Sequence, residues 1–257
     1  MLTKRDQQYI ESEVQIIGKY LQQEAGPGMG KFSEITQHVY ISNWAGSCNP
    51  NYLKDKDIEL VICTSKDRKS NDELNLYNTM RIKQTYIPIS DNQNDNITRF
   101  FEHFYEILYN SILEEKHILV HCETGASSSV SMVLYYLLKR YYLTNFGKKA
   151  TIDQELMSPR SFKLKEILTY VKGRRTCVDP NLGFITQLLT AEMFLKKQMT
   201  AIYDSKLAEE KKKELQREKK DANERVKSRE KKGKKDKKVT FIDDIEDIEE
   251  LSLDSTE

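Results

Sequence analysis

The chain has 257 residues, with 41 lysines and arginines against 40 aspartates and glutamates and a hydrophobic fraction of 38%. This composition suits one medium-sized domain with accessory segments and leaves little room for two full domains. The longest apolar stretch, Val130 to Leu138, is far shorter than the roughly 20 residues that a membrane span requires, so we expect no membrane partner. No apolar segment precedes a cleavage site at the N-terminus, which predicts an intracellular protein of the cytoplasm or the nucleus.

The four cysteines lie far apart in the sequence and show neither a C-x-x-C pair nor the histidine spacing of a zinc site. They are Cys48, Cys63, Cys122 and Cys177. We therefore expect reduced thiols, no metal and no cofactor.

The first 31 residues predict a helix followed by a glycine-rich hinge. Thr3 and Asp6 make a capping pair for an amphipathic helix over residues 4–24, which has apolar residues at helical spacing. Residues 26–31 superficially match a nucleotide-binding loop but lack its first glycine and its final Ser or Thr, so we interpret them as the hinge.

Residues 32–199 alternate between short apolar runs and helical patterns. The runs that predict strands are Val39–Ile41, Leu60–Cys63, Tyr86–Ile89 and Ile118–Val120. Helical periods follow over Ile97–Leu108, Val130–Tyr141, Ser161–Gly173 and Asn181–Lys197, with an insertion loop at 148–159. This alternation predicts an α/β domain whose central sheet is mostly parallel and flanked by helices.

One segment of this domain has the pattern of an anion-binding loop with a nucleophile. Residues 118–130 place Cys122 after a buried strand and before a short loop that contains Gly125 and leads into a helix. Successive backbone N–H groups in such a loop, together with the helix N-terminus, favour the binding of an anion such as phosphate. The same field favours the thiolate form of a cysteine at its centre, which makes Cys122 a candidate nucleophile.

These residues resemble the H-C-x5-R-S motif of the cysteine-dependent tyrosine and dual-specificity phosphatases. Residues 32–43 are similar to the opening strand of that family, residues 87–91 to its acid loop and residues 180–188 to its closing helix. The resemblance implies the phosphatase fold and a phosphoprotein as the partner.

The resemblance also implies roles for individual residues. Cys122 corresponds to the nucleophile, Asp91 to the general acid, Ser129 to the hydroxyl that assists release of the thiolate, and His121 to a residue that orients the loop. The corresponding phosphate-binding positions are His121, Glu123, Thr124, Gly125, Ala126, Ser127 and Ser128. Asp95 is an alternative acid, and Cys63 is a possible redox partner of Cys122 or an ordinary core residue.

The chain departs from the family pattern at Ser128, which stands where the family has arginine. A guanidinium forms hydrogen bonds to two phosphate oxygens at once and stabilises the charge of the transferring phosphoryl group. A hydroxyl can do neither. We therefore expect a pseudophosphatase that binds phosphorylated Ser, Thr or Tyr in partner proteins. The alternatives are an active enzyme, in which another cation such as Arg160 replaces the arginine, and a module that only docks.

Residues 200–257 form a charged tail. Residues 206–238 hold sixteen basic and eight acidic residues, whereas residues 239–257 hold eight acidic residues and none that is basic. Charge pairs at helical spacing over 206–229 predict a solvated helix that breaks at Gly233, followed by an acidic, disordered end. The basic stretch lacks interleaved aromatic residues, so we do not expect a nucleic-acid partner.

Val239 and Phe241 lie between the basic and the acidic halves of this tail. The segment resembles the docking motif by which regulatory subunits engage the type-1 serine/threonine phosphatase. Such motifs bind as an added strand, with alternate side chains entering apolar pockets. The resemblance implies that the catalytic subunit of this phosphatase is a second partner.

Overall fold

A computed structural model describes residues 2–23, 32–67, 71–147 and 162–253. The predicted hinge, the insertion loop and Arg160 lie outside these residues. The chain divides into two units, Met1–Thr200 and Ala201–Glu257.

The first unit contains a five-stranded sheet with the order β1-β2-β5-β3-β4. The strands are β1 Phe32–Thr36, β2 Val39–Ser42, β3 Ile58–Cys63, β4 Lys83–Tyr86 and β5 His117–His121. Only β1 pairs antiparallel, with β2, whereas every other pairing is parallel. The predicted α/β class with a mostly parallel sheet is confirmed.

Eight α-helices surround or follow these strands in the described part of the chain. They are α1 Lys4–Gln23, α2 Trp44–Ser47, α3 Pro50–Asp55, α4 Asn71–Met80, α5 Phe101–Leu113, α6 Ser128–Gly147, α7 Leu164–Arg174 and α8 Leu182–Leu253. A short 3-10 turn at Thr98–Phe100 leads directly into α5.

Side chains alternate between the two faces of the buried strands. In β5, Ile118 and Val120 join the larger core with α5, α6 and α7, whereas Leu119 joins a smaller core that α3 and α4 cover. This period of two is the pattern of a strand with both faces buried. The sheet is therefore enclosed by helices on both sides, and its functional groups can reach solvent at the strand ends.

Helix α1 begins with the predicted capping pair. The hydroxyl of Thr3 accepts from the N–H of Asp6 at 3.1 Å, and the carboxylate of Asp6 accepts from the N–H of Thr3 at 2.8 Å. The apolar stripe of α1 is buried in the larger core through Ile10, Ile17 and Leu21. This helix is thus part of the hydrophobic core of the first unit.

The predicted third strand is wrong in its position. Strand β4 ends at Tyr86, and the N–H of Ile87 makes one more bond to the carbonyl oxygen of Cys63 before Pro88 intervenes. Proline has no N–H with which to continue the ladder. Ile87 and Ile89 are nevertheless buried, which explains their strand-like sequence pattern.

The predicted break in the tail is also wrong, because α8 continues past Gly233 and through Val239 and Phe241 to Leu253. A single glycine costs a helix only about 1 kcal/mol relative to alanine. Charge pairs at helical spacing can offset part of that cost. No helix within the described ranges has the combined length and apolar character of a membrane span.

Candidate active site

The parallel strands β2, β3, β4 and β5 end at one edge of the sheet, and the candidate site lies there. The loop from Cys122 to Ser127 connects β5 to α6 at this edge. Gly125 has a φ of +67°, and a β-carbon on it would lie 2.4 Å from the carbonyl oxygen of Ser42. The turn that gathers the loop around Cys122 therefore requires glycine at this position.

Cys122 lies at the centre of the loop. Its thiol sulfur accepts a hydrogen bond from the N–H of Gly125 at 3.1 Å and lies 3.2 Å from the hydroxyl oxygen of Ser129. Ser129 belongs to the first turn of α6, where free N–H groups and the helix dipole favour negative charge. The sulfur of Cys122 therefore lies beside a backbone donor and the N-terminal turn of a helix.

Asp91 is held against the same loop. Its Oδ1 atom accepts from the hydroxyl of Ser127 at 2.5 Å and from the side-chain amide of Asn181 at 2.9 Å. The alternative acid, Asp95, instead accepts from the N–H of Ser90 at 2.6 Å and so supports the loop that carries Asp91. Of the two carboxylates, Asp91 is the one that faces the cysteine loop.

A cavity of about 240 Å³ opens beside Cys122. It is lined by Ser65, Lys66, Asp67, Ile89, Ser90, Asp91, Cys122, Glu123 and Ser128. Four of the residues predicted for the site therefore share one pocket. Within the loop, the hydroxyl of Thr124 accepts from the N–H of Ala126 at 3.2 Å, which fixes the turn itself.

The side chain of Ser128, at the position of the family arginine, is turned toward the protein interior. Its hydroxyl donates to the carbonyl oxygen of Thr64 at 2.9 Å, and the residue is almost completely buried. This bond ties the start of α6 to the segment that follows β3. The hydroxyl is therefore engaged by the backbone.

Arg175 supports the loop from behind, and the sequence reasoning missed it. Its Nε atom donates to the carbonyl oxygen of Gly125 at 2.6 Å, and its Nη2 lies 3.4 Å from that of Thr124. The side chain is only 1% exposed, and this burial lowers the pKa of its guanidinium. By holding carbonyl groups on the outside of the loop, Arg175 favours the inward orientation of the N–H groups.

His121 lies behind the loop and outside the pocket. It is fully buried, and its Nε2 atom lies 3.3 Å from Oε1 of Glu73, a buried carboxylate of α4 that the sequence reasoning also missed. Cys63 is the parallel-register partner of His121, and burial raises the pKa of its thiol. A redox pairing of Cys63 with Cys122 stays a prediction.

The arrangement of these groups defines a class of protein. A cysteine-centred anion loop between a parallel strand and a long helix, with an aspartate opposite, resembles the site of the cysteine-dependent phosphatase domains. Residues 39–146 match the family model of the dual specificity phosphatase catalytic domain. This region of the chain is therefore similar to the catalytic domain of the dual-specificity phosphatases.

Individual relatives show the same similarity. Human dual specificity protein phosphatase 18 is 26% identical over 169 residues, which cover 66% of this chain and 77% of that protein. Rat dual specificity protein phosphatase 5 is 31% identical over 159 residues, or 62% of this chain and 35% of that protein. The solved structure of OH1, a tyrosine phosphatase from the Orf virus, shares the fold with a TM-score of 0.52 at 19% identity and covers 69% of this chain and 98% of its own.

Proposed function

We propose that this protein is a catalytically impaired dual-specificity phosphatase that binds phosphorylated Ser, Thr or Tyr in partner proteins. The observation that carries the proposal is the hydrogen bond from Ser128 to the carbonyl oxygen of Thr64. This bond to the backbone engages the hydroxyl that stands at the arginine position.

Loss of the arginine affects turnover more than binding. An arginine supplied to a phosphoryl transition state is worth about 10³- to 10⁵-fold in rate. The N–H groups of the loop and the N-terminus of α6 remain, and they hold a phosphate without a side-chain cation. This difference supports a protein that retains phosphate affinity and has lost most of its hydrolysis.

The described part of the chain offers little to replace the guanidinium. Arg175 is the cation nearest the loop backbone, but its donors are directed to carbonyl oxygens behind the loop. Among the described residues, Lys66 is the only basic one that lines the pocket, together with the acids Asp67, Asp91 and Glu123. Three acids against one base weaken the binding of a dianion and disfavour a fully active enzyme.

An active phosphatase remains the second candidate function, and the contact of Cys122 with Ser129 and of Asp91 with the same loop supports it. Nucleophilic attack by Cys122 would transfer the phosphoryl group to its sulfur while Asp91 protonates the leaving oxygen. Water would then release phosphate from the phosphocysteine.

Calorimetric titration with a phosphotyrosine peptide, a phosphothreonine peptide and their unphosphorylated counterparts tests the proposed binding. We expect wild-type protein to bind at least one phosphopeptide and neither unphosphorylated control. Ser128→Arg should bind the same phosphopeptide about tenfold more tightly, because a bidentate guanidinium adds charge-assisted hydrogen bonds. Equal affinity for phosphorylated and unphosphorylated peptides would leave only a docking role. Location in the cytoplasm or the nucleus stays a prediction.

A further inference from the structure

Lys66 is held at the cavity beside Cys122 by a short segment with a fixed backbone. The segment begins directly after β3, where the N–H of Thr64 donates to the carbonyl oxygen of His121 at 2.8 Å. The hydroxyl of Thr64 donates to the same oxygen at 3.1 Å, and Thr64 is fully buried. The carbonyl oxygen of Lys66 accepts a hydrogen bond from the hydroxyl of Tyr86, the last residue of β4. Both ends of the segment are therefore tied to the sheet.

The residue at the arginine position contributes to this placement. The hydroxyl of Ser128 donates to the carbonyl oxygen of Thr64 at 2.9 Å, two residues before Lys66. Ser128 and Lys66 both line the cavity beside Cys122. The serine found in place of an arginine thus helps to hold the segment that brings another cation to the same cavity.

The charges around the cavity give this lysine its importance. Among the described residues that line the cavity, Lys66 is the only basic one, and the acids are Asp67, Asp91 and Glu123. A phosphate dianion is repelled by such acids, and a cation at the cavity offsets that repulsion. A lysine ammonium has three donors and binds phosphate as a point charge on a flexible stem. Lys66 can therefore reach a bound phosphate from the wall of the cavity.

We infer that Lys66 is a phosphate-binding residue and supplies the positive charge that the cysteine loop lacks at Ser128. The inference rests on the proposed function and deepens it, because it names the side chain that lets a phosphorylated partner bind. An ammonium does not form the paired, planar hydrogen bonds that a guanidinium makes to two phosphate oxygens. Lys66 therefore supports binding and does not restore the rate of hydrolysis.

The test is the protection of Cys122 from iodoacetamide by inorganic phosphate, which reports occupancy of the cavity without any partner peptide. Mass spectrometry measures the alkylated fraction of the peptide that contains Cys122 over a range of phosphate concentrations. Cys48, which is partly exposed and does not line the cavity, is the internal reference. We expect phosphate to protect Cys122 and not Cys48. In Lys66→Met the concentration for half protection should rise about tenfold, because a charge-assisted hydrogen bond is lost.

Three further variants separate a phosphate ligand from a general effect of charge. Lys83→Met removes the same charge at an exposed lysine at the other end of β4, and it should change the half-protection concentration less than about twofold. Lys66→Arg keeps the charge and should stay within about threefold of wild type. In a Ser128→Arg background, Lys66→Met should cost less than about threefold, because the guanidinium then supplies the charge.

Equal half-protection concentrations for wild type and Lys66→Met overturn the inference. Equal effects of Lys66→Met and Lys83→Met also overturn it, as does a failure of phosphate to protect Cys122 in wild type. Protection that depends on Lys66 in a protein that binds no phosphopeptide refutes the proposed function alone. Phosphopeptide binding that is unchanged in Lys66→Met refutes the inference and leaves the proposed function standing.

Discussion

The Nε atom of Arg175 donates to the carbonyl oxygen of Gly125 at 2.6 Å, which joins the end of α7 to the loop of the candidate site. The two residues are 50 positions apart in the chain. Arg175 is fully buried and donates hydrogen bonds to several backbone carbonyl groups. It therefore fixes the conformation of the loop whether or not the loop performs catalysis. The bond therefore explains how the loop keeps its shape although the arginine of the family motif is missing from it.

Replacement of this arginine should weaken the fold and the site together. Arg175→Met leaves buried carbonyl oxygens without donors, and we expect the free energy of unfolding to fall by about 2 to 3 kcal/mol. Urea denaturation measures this change. Arg174→Met, at the exposed neighbouring residue, is the control and should cost less than about 1 kcal/mol. Equal effects of the two substitutions would refute the role assigned to Arg175.

The conformation of Gly125 should be equally intolerant of change. Gly125→Ala forces a side chain into the left-handed region and against Ser42 and Arg175, so we expect a loss of about 2 kcal/mol or more. Gly173→Ala is the matched control, because a β-carbon there meets no atom within 4 Å and α7 gains a better helix former. Thermal unfolding of both variants checks the prediction, and a neutral Gly125→Ala would contradict it.

Substitutions of Asp91 and Asp95 should have different effects on kcat once activity is restored. In a Ser128→Arg background we expect Asp91→Asn to lower kcat toward an alkyl phosphate by about 10²-fold or more, because that leaving group needs a proton. Asp95→Asn removes the charge of the group that accepts from the Ser90 N–H and should cost less. Comparison of kcat for the two variants decides which carboxylate is the acid. A larger loss in Asp95→Asn would reverse the assignment.

The N-terminal cap should make stability depend on pH. Hydrogen bonds from Lys197 and from the N–H of Thr3 lower the pKa of Asp6 below its ordinary value of 3.8. A lowered pKa in the folded state means that this stabilisation is present above that value and is lost as the pH falls below it. We expect the cap to contribute about 1 kcal/mol to the free energy of unfolding. In Asp6→Asn the free energy of unfolding should depend less on pH below about pH 4. Urea denaturation at pH 3 and pH 6 measures the difference.

The tail motif gives a prediction that concerns partners. Val239 and Phe241 lie within α8, whereas docking by strand addition needs an extended segment, so binding would require local unwinding. If the motif is used, Val239→Ala with Phe241→Ala should abolish pull-down of the purified type-1 phosphatase catalytic subunit. Ile245→Ala with Ile248→Ala, in the acidic segment, is the control. Unchanged binding in the first variant would remove this partner from the account.

The sequence predicted the parts of this site that are local in the chain. The strand, Cys122, Gly125 and the following helix are contiguous, and their order alone indicates an anion loop. Asp91 was found only through the family resemblance, since nothing in its own neighbourhood distinguishes it from a turn residue. Arg175 and Glu73 were missed because each acts across a long separation in sequence, and a buried arginine or glutamate looks like a surface residue until its partners are known.

The boundaries of elements were predicted less well where local and tertiary signals disagree. Ile87 and Ile89 show the alternation of a strand, but Pro88 ends the ladder and the two side chains are buried by packing instead. Gly233 carries the signal of a helix end, yet α8 continues through it. In both cases the prediction relied on the intrinsic preference of individual residues, whereas the structure depends on the residues around them.

The most direct test of the central claim is phosphate release from an aryl phosphate and from phosphopeptides, measured in parallel for wild type, Cys122→Ser and Ser128→Arg. We predict that wild type is close to Cys122→Ser, while Ser128→Arg gains about 10³-fold or more because the pocket otherwise remains intact. Turnover by wild type that disappears in Cys122→Ser and does not rise in Ser128→Arg would contradict the account. The protein would then be an active phosphatase that does not need the family arginine.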